Sequence, residues 1–318
     1  MPQLHIHIGW PKTGTTAFQH FCAENPGLLA QHGISYFATS RGHSCGTISH
    51  AIAKQENLKK HRRQFLEWAE RQRDRDMLVS AEGFSGCDPD RVAEVFATDR
   101  WDRVNVIAYL RPQEELLEGW YKQMVKWGGK LSWAQYLSPR SAAWKLGDFR
   151  PGMTSWSEWC DRNRHTFIPA IFERRHMPGG NIVRDILSKL GAPDIRIEAT
   201  PRNVSPSAAL IDLYLRLPPI EKLQKINRLM VASDHPAATG SGDLFDTKTV
   251  ALIRDRYDEA NEQIRADHFP DRDRLFDLAD AGHPSAPSAE GLADLLINTL
   301  AETHGQAVAD RAAKALLC

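Results

Sequence analysis

The sequence predicts an α/β fold, a central and mostly parallel sheet flanked by helices, with a helical C-terminal third. Two observations carry this prediction. Apolar strand-like runs ("LHIHI", "MLVS", "VNVIAYL", "FIPAI") alternate with helical stretches through about residue 205. Alternation of that kind requires crossover connections, which make the strands parallel and put helices on the sheet faces. Beyond that point the strand pattern gives way to helical runs: "SAALIDLYLRL", "DTKTVALIRDRYDEANEQI" and a terminal "SAEGLADLLINTLAETHGQAVADRAAKALL".

The elements follow in order. Leu4, Ile6 and Ile8 alternate with His5 and His7, as in a strand with inequivalent faces. "TTAFQHFCAE" reads as a helix stopped near "NPG", and "LLAQHGISYF" as a short helix entering a strand. Residues 40–50, "SRGHSCGTISH", have loop composition. "HRRQFLEWAERQRDRD" is a charged amphipathic helix whose arginines form a solvated face. "MLVSAEGFSG" is a buried strand running into a turn. "DPDRVAEVFAT" is a helix with Asp88 and Asp90 where carboxylates suit the dipole. "RVNVIAYLRP" is a second apolar strand ended by Pro112, and "QEELLEGWYKQMVKWG" a helix closed by Gly128 and Gly129. "HTFIPAIFE" is a further strand, followed by the helix "NIVRDILSKLG".

This organisation places an α/β domain at residues 1–280, with its core at 1–205 and a helical part at 206–280. "AGHPSAPSAEG" is the best hinge, so 281–318 reads as a helical extension that packs on the body or on a partner, a second copy included.

Composition bounds the function. Forty basic residues balance forty acidic ones, which excludes a general nucleic-acid or electrostatic membrane binder, so any anion site must be local. A chain of 318 residues buries enough core to need neither disulfides nor metal for stability. The five cysteines are scattered with no CxxC, and no HExxH occurs, so no metal site is expected. Reduced thiols suit a cytoplasmic protein. No apolar run approaches the roughly 20 residues of a membrane span, and the N-terminus has no signal-peptide pattern.

The stretch that points to chemistry is "HIHIGWPKTGTTAFQHF" at 5–21. Strand, glycine-bearing turn and helix gather backbone N–H groups at a helix N-terminus, where the dipole also favours an anion. Against the nucleotide-binding spacing GxxxxGK[ST], Gly9, Gly14 and Thr16 fit, but Thr15 stands where the lysine belongs. The cation lies three residues earlier, at Lys12. A phosphosulfate has a shorter anionic chain than a triphosphate, and one lysine near its bridging oxygen serves it without a divalent ion.

"PKTGTT" directly after an N-terminal strand resembles the 5′-phosphosulfate loop of sulfotransferases that use 3′-phosphoadenosine 5′-phosphosulfate (PAPS). The resemblance covers about residues 1–205 and implies a phosphate-loop-like, three-layer fold. It also implies that PAPS is the donor, adenosine 3′,5′-bisphosphate the product, and that no metal takes part. Pro11, Lys12, Thr13, Gly14, Thr15 and Thr16 would hold the 5′-phosphosulfate. The family's second phosphate element is led by an arginine at a strand end, here Arg111 of "VIAYLRPQEELLEGWYKQ". Arginine suits that task because its planar fork gives two parallel charge-assisted bonds. The serine the family places eight residues on is Gly119 here, which leaves open what completes the 3′-phosphate site. "PRNVSPS" resembles a late loop of bacterial members, with Arg202 either reaching the same phosphate or simply solvated.

For the base, "LVSAEGFSG" resembles the "SSE" segment of the bacterial and Golgi-type branches, which makes Glu82 the group that takes the acceptor's proton. The cytosolic branch uses histidine, so His43 and His50 are rivals. Likeness to the glutamate branch implies a carbohydrate or glycolipid hydroxyl as acceptor, with the numerous tryptophans as stacking platforms or ordinary core. Two other readings stay open: a phosphate-loop kinase, and a non-catalytic nucleotide sensor or scaffold acting through the helical C-terminal third.

Overall fold

The structure is a computed structural model that describes residues 2–39, 42–197, 205–240, 244–277 and 288–317. It comprises two compact units. The first takes Met1–Pro112, Phe149–Pro201 and Ala260–Phe276, and contains a sheet of five parallel strands. These are β1 (Leu4–His7), β2 (Ile34–Phe37), β3 (Asp76–Ser80), β4 (Val104–Leu110) and β5 (Thr166–Ile171), in the order β2-β3-β1-β4-β5. β1 is central, with Ile6 opposite both Val79 of β3 and Val106 of β4. Strands buried on both faces read as near-continuous apolar runs. β4, buried at all seven positions, is such a run.

The two faces of β1 are inequivalent in residue type but equally covered. Its second face is as buried as its first: His5 is 3% exposed and His7 fully covered. The cover is α1 (Thr15–Glu24), whose Phe18 meets the edge of the His7 ring at 5.2 Å. Phe18, Phe21 and Cys22 pack with Leu29 of α2 (Pro26–Gln31) and with Val183, Ile186 and Leu187 of helix Ile182–Lys189. Asn181 starts the latter helix by accepting from the Val183 amide at 2.8 Å.

The opposite face carries an aromatic cluster. Phe37 of β2 lies against Phe65 of α4 (Leu58–Glu70), and Phe65 against Phe96 of α5 (Pro89–Phe96). Asp88 caps α5 by accepting from the Asp90 amide at 3.0 Å. Residues 40–50 are not loop throughout. From Gly46 the chain forms α3 (Gly46–Lys54), because burial of Ile48, Ser49 and Ile52 on one face outweighs the poor helix propensity of Gly, Thr and Ser.

The second unit takes Gln113–Asp148, Arg202–Glu259 and Asp277–Cys318, and its described residues form helices and an isolated bridge between Pro206 and Thr239. Leu117, Tyr121 and Val125 of helix Gln113–Lys126 pack with Leu210 and Tyr214 of helix Ala208–Arg216 and Ile226 of helix Leu223–Val231. Helices Leu292–His304 and Gln306–Leu317, separated at Gly305, add Leu296, Leu300 and Ala312 to that core. Glu118 and Lys122 form an ion pair at 2.9 Å inside this unit, Lys122 being 2% exposed. Among the described residues, no helix is long and apolar enough to cross a membrane.

Candidate active site

Ligands of open α/β sheets sit outside the carboxyl ends of the strands, at the point where the strand order reverses. In this sheet that point lies between β1 and β4. Both strand ends carry the residues singled out by sequence. The Ile8 amide extends the pairing by donating to Ile107 O at 3.0 Å, and the chain then turns sharply.

The turn is held from within and from β4. Gly9 has φ 56°, and Trp10 is buried edge-on against Phe149 at 5.6 Å. The Thr13 hydroxyl donates to Trp10 O at 2.6 Å and accepts from Trp10 N at 3.4 Å, so this buried threonine locks the bend. Half-buried Pro11 lies within it. Lys12 has φ 67°, a left-handed conformation uncommon outside glycine and worth of order 1–3 kcal/mol of strain. Arg111, following β4, donates from Nη1 to Lys12 O at 2.6 Å, and its guanidinium lies 5.2 Å from the centre of the Phe172 ring.

Gly14, φ 78°, is the N-cap of α1 and offers no side chain to its first turn. Glycine is required twice over here. A Cβ would lie 2.9 Å from Ile182 Cγ2 and 3.1 Å from Phe172, and the backbone is left-handed. No side-chain cap hydrogen bond closes the start of α1, and an uncapped helix start is the kind of place where anions bind.

Glu82 arrives from β3. The Ala81 amide donates to His7 O at 3.1 Å, and Glu82 opens the short 3-10 turn Glu82–Gly86. The Thr15 hydroxyl, on the first turn of α1, donates to Glu82 Oε2 at 3.0 Å. Beside the carboxylate is a cleft of about 430 Å³ lined by Thr16, Gln19, Ser44, Ser49, His50 and Glu82, with Gly46, Ala53 and Gly83.

The structure therefore brings Lys12, Thr13, Gly14, Thr15, Thr16, Glu82 and Arg111 to the carboxyl end of the central strands, with His50 in the adjoining cleft. His43 is exposed, stacks on His20 at 4.0 Å between ring centres and is not among the residues lining the cleft. Gly119 lies on helix Gln113–Lys126 of the second unit. Arg202 lies outside the described residues. Sequence reasoning missed Gln19, Ser44 and Ser49 as cleft residues. Gln19 was within reach, since it follows Thr15 by four residues and so shares its helix face.

Beneath the site, Ser80 Oγ accepts from Gln19 Nε2 at 3.0 Å and sits 2.9 Å from His7 Nδ1. Complete burial drives the His7 pKa down to about 3, so the imidazole is neutral at physiological pH. Burial also pushes the thiols up, Cys45 to about 12 and Cys87 to about 11, which leaves both protonated and poor nucleophiles.

No family model matches the chain. Over 203 residues it is 25% identical to an uncharacterized protein of Archaeoglobus fulgidus, a match covering 61% of this chain and 54% of that protein. The chain thus spans about half the length of the curated relative it matches.

Proposed function

We propose that the chain is a PAPS-dependent sulfotransferase. The observation that carries this reading is the meeting of two segments distant in sequence. Glu82, at the end of β3, accepts a hydrogen bond from Thr15 in the first turn of the helix that follows the lysine-bearing loop. A proton acceptor is thereby held beside an anion-binding helix start that carries a cation.

On this reading, the donor's 5′-phosphosulfate lies against the loop from Pro11 to Thr16, with Lys12 near the bridging oxygen. An acceptor hydroxyl in the cleft attacks sulfur in line. The new S–O bond forms as the bond from sulfur to the bridging oxygen breaks. The electron pair stays with the departing adenosine 3′,5′-bisphosphate, and the proton passes to Glu82. Lys12 offsets the charge that grows on the leaving phosphate, and fixed positioning does the rest. Arg111 shapes the loop through the Lys12 carbonyl, and its planar guanidinium suits a second phosphate.

The cleft lining supports a polyhydroxylated acceptor, a carbohydrate or glycolipid headgroup. Thr16, Ser44 and Ser49 bring hydroxyls to it and Gln19 an amide, and among the described residues no tryptophan lines it. A phenol would call for an apolar, aromatic lining. Four free cysteines, Cys22, Cys45, Cys87 and Cys160, support a reducing, cytoplasmic setting.

The test is sulfate transfer from labelled PAPS to a panel of neutral sugars and glycolipids. Sulfated product from the wild type and none from Lys12→Ala is the expected result. Phosphoryl transfer from Mg²⁺·ATP with no sulfate transfer would assign the site to a kinase instead.

A further inference from the structure

We infer that Thr15 is a positioning residue for Glu82, its hydroxyl serving the base rather than the donor's phosphate; this rests on the sulfotransferase reading above. A threonine hydroxyl has one proton to give. Thr15 gives it to Glu82 Oε2 at 3.0 Å. While it does so, only lone pairs remain on that oxygen, and these repel an anionic phosphate oxygen. The next residue, Thr16, is exposed and lines the cleft, so the loop keeps a hydroxyl for ligands without it.

The contact is built, not incidental. Thr15 is 2% exposed, which confines its side chain, and Gly9 makes room for the approach. A Cβ on Gly9 would lie 2.6 Å from Thr15 Cγ2 and 3.3 Å from Glu82 Cα. The end of β1, the start of α1 and the end of β3 therefore converge on one point, where a side chain at Gly9 would separate hydroxyl from carboxylate. Glu82 is anchored at its backbone too, its carbonyl accepting from Ser85 Oγ at 2.9 Å. Glu82 itself is solvent-exposed, and without Thr15 its side chain would sample several rotamers. With one carboxylate oxygen tied down, the other is aimed to take a proton.

The experiment measures sulfate release from labelled PAPS, to water and to an acceptor found by the screen, alongside calorimetry with adenosine 3′,5′-bisphosphate. Thr15→Val keeps the side-chain shape and removes the hydroxyl. It should slow release roughly 10- to 100-fold, the weight of a hydrogen bond to a charged group, with bisphosphate affinity and the KM for PAPS unchanged. Thr15→Ser should restore the rate. In a Glu82→Gln background, Thr15→Val should add no further loss, because the two act as a unit. A wild-type rate in Thr15→Val, losses that multiply with those of Glu82→Gln, or a collapse of bisphosphate affinity in Thr15→Val would each overturn the inference alone. A wild-type protein that binds no bisphosphate, or binds it and never releases sulfate, would overturn the sulfotransferase reading and the inference with it.

Discussion

Arg111 donates from Nη1 to the main-chain oxygen of Lys12 at 2.6 Å, so the residue that follows β4 braces the backbone of the loop that follows β1. Its guanidinium is held over Phe172, which also packs against Gly14. Arg111→Ala should therefore loosen the loop, lowering bisphosphate affinity by about tenfold or more, the scale of a lost charge-assisted hydrogen bond. Arg111→Lys should not rescue it, since an ammonium cannot combine the fork and the flat stacking face. Calorimetry on both variants checks this.

Lys12 combines a cation with a left-handed backbone, φ 67°. The two roles separate by substitution. Lys12→Gly relaxes the strain and should raise stability by about 1 kcal/mol, whereas Lys12→Ala keeps it; both remove the charge. Thermal unfolding should rank glycine above alanine, with sulfate transfer abolished in both. Equal stability would mean that the turn is not strained.

The Glu118–Lys122 pair is a separate stability test in the second unit. Lys122 Nζ also donates to Gly240 O at 3.2 Å, and the Leu244 amide donates to Glu118 Oε2 at 3.4 Å. Removing one partner leaves a buried charge, so Lys122→Met should cost about 3–5 kcal/mol by denaturant unfolding. Glu118→Leu combined with Lys122→Met should recover much of that loss, because a buried ion pair replaced by apolar residues of similar volume is often near neutral.

His7 makes stability pH-dependent. Its folded-state pKa, about 3, lies below the usual imidazole value near 6.5. Between those limits the unfolded chain binds the proton and the folded one does not. The contribution is therefore complete above pH 6.5 and falls as pH drops towards 3, by at most about 1.4 kcal/mol per pH unit for this residue. Denaturant titrations from pH 7 to 4 should show this decline, and His7→Asn, which cannot titrate, should flatten it by about one proton.

The sheet was legible because parallel strands covered on both faces must be apolar runs, as "VNVIAYL" is. The turn residues of "GWPKTGTT" likewise marked the bend between β1 and α1. What stayed illegible depended on tertiary packing. His5 and His7 alternate with apolar residues, and it is tertiary packing that buries them, His7 against Phe18 of α1. Gly46, Thr47 and Ser49 look like loop until the burial of Ile48 and Ile52 turns them into helix. The division into two units leaves no mark at Pro112, since helix Gln113–Lys126 follows without any linker composition. Glu82 was singled out through the likeness of "LVSAEGFSG", but its hydrogen bond to Thr15 spans 67 positions and has no local signal.

The central claim is that the lysine-bearing loop grips a phosphosulfate donor, and titration calorimetry without divalent ions tests it most directly. Adenosine 3′,5′-bisphosphate should bind the wild-type protein more tightly than Mg²⁺·ATP does, and Lys12→Ala should lose that binding while remaining folded. No heat with the bisphosphate, an affinity indifferent to Lys12→Ala, or a preference for Mg²⁺·ATP would contradict the account.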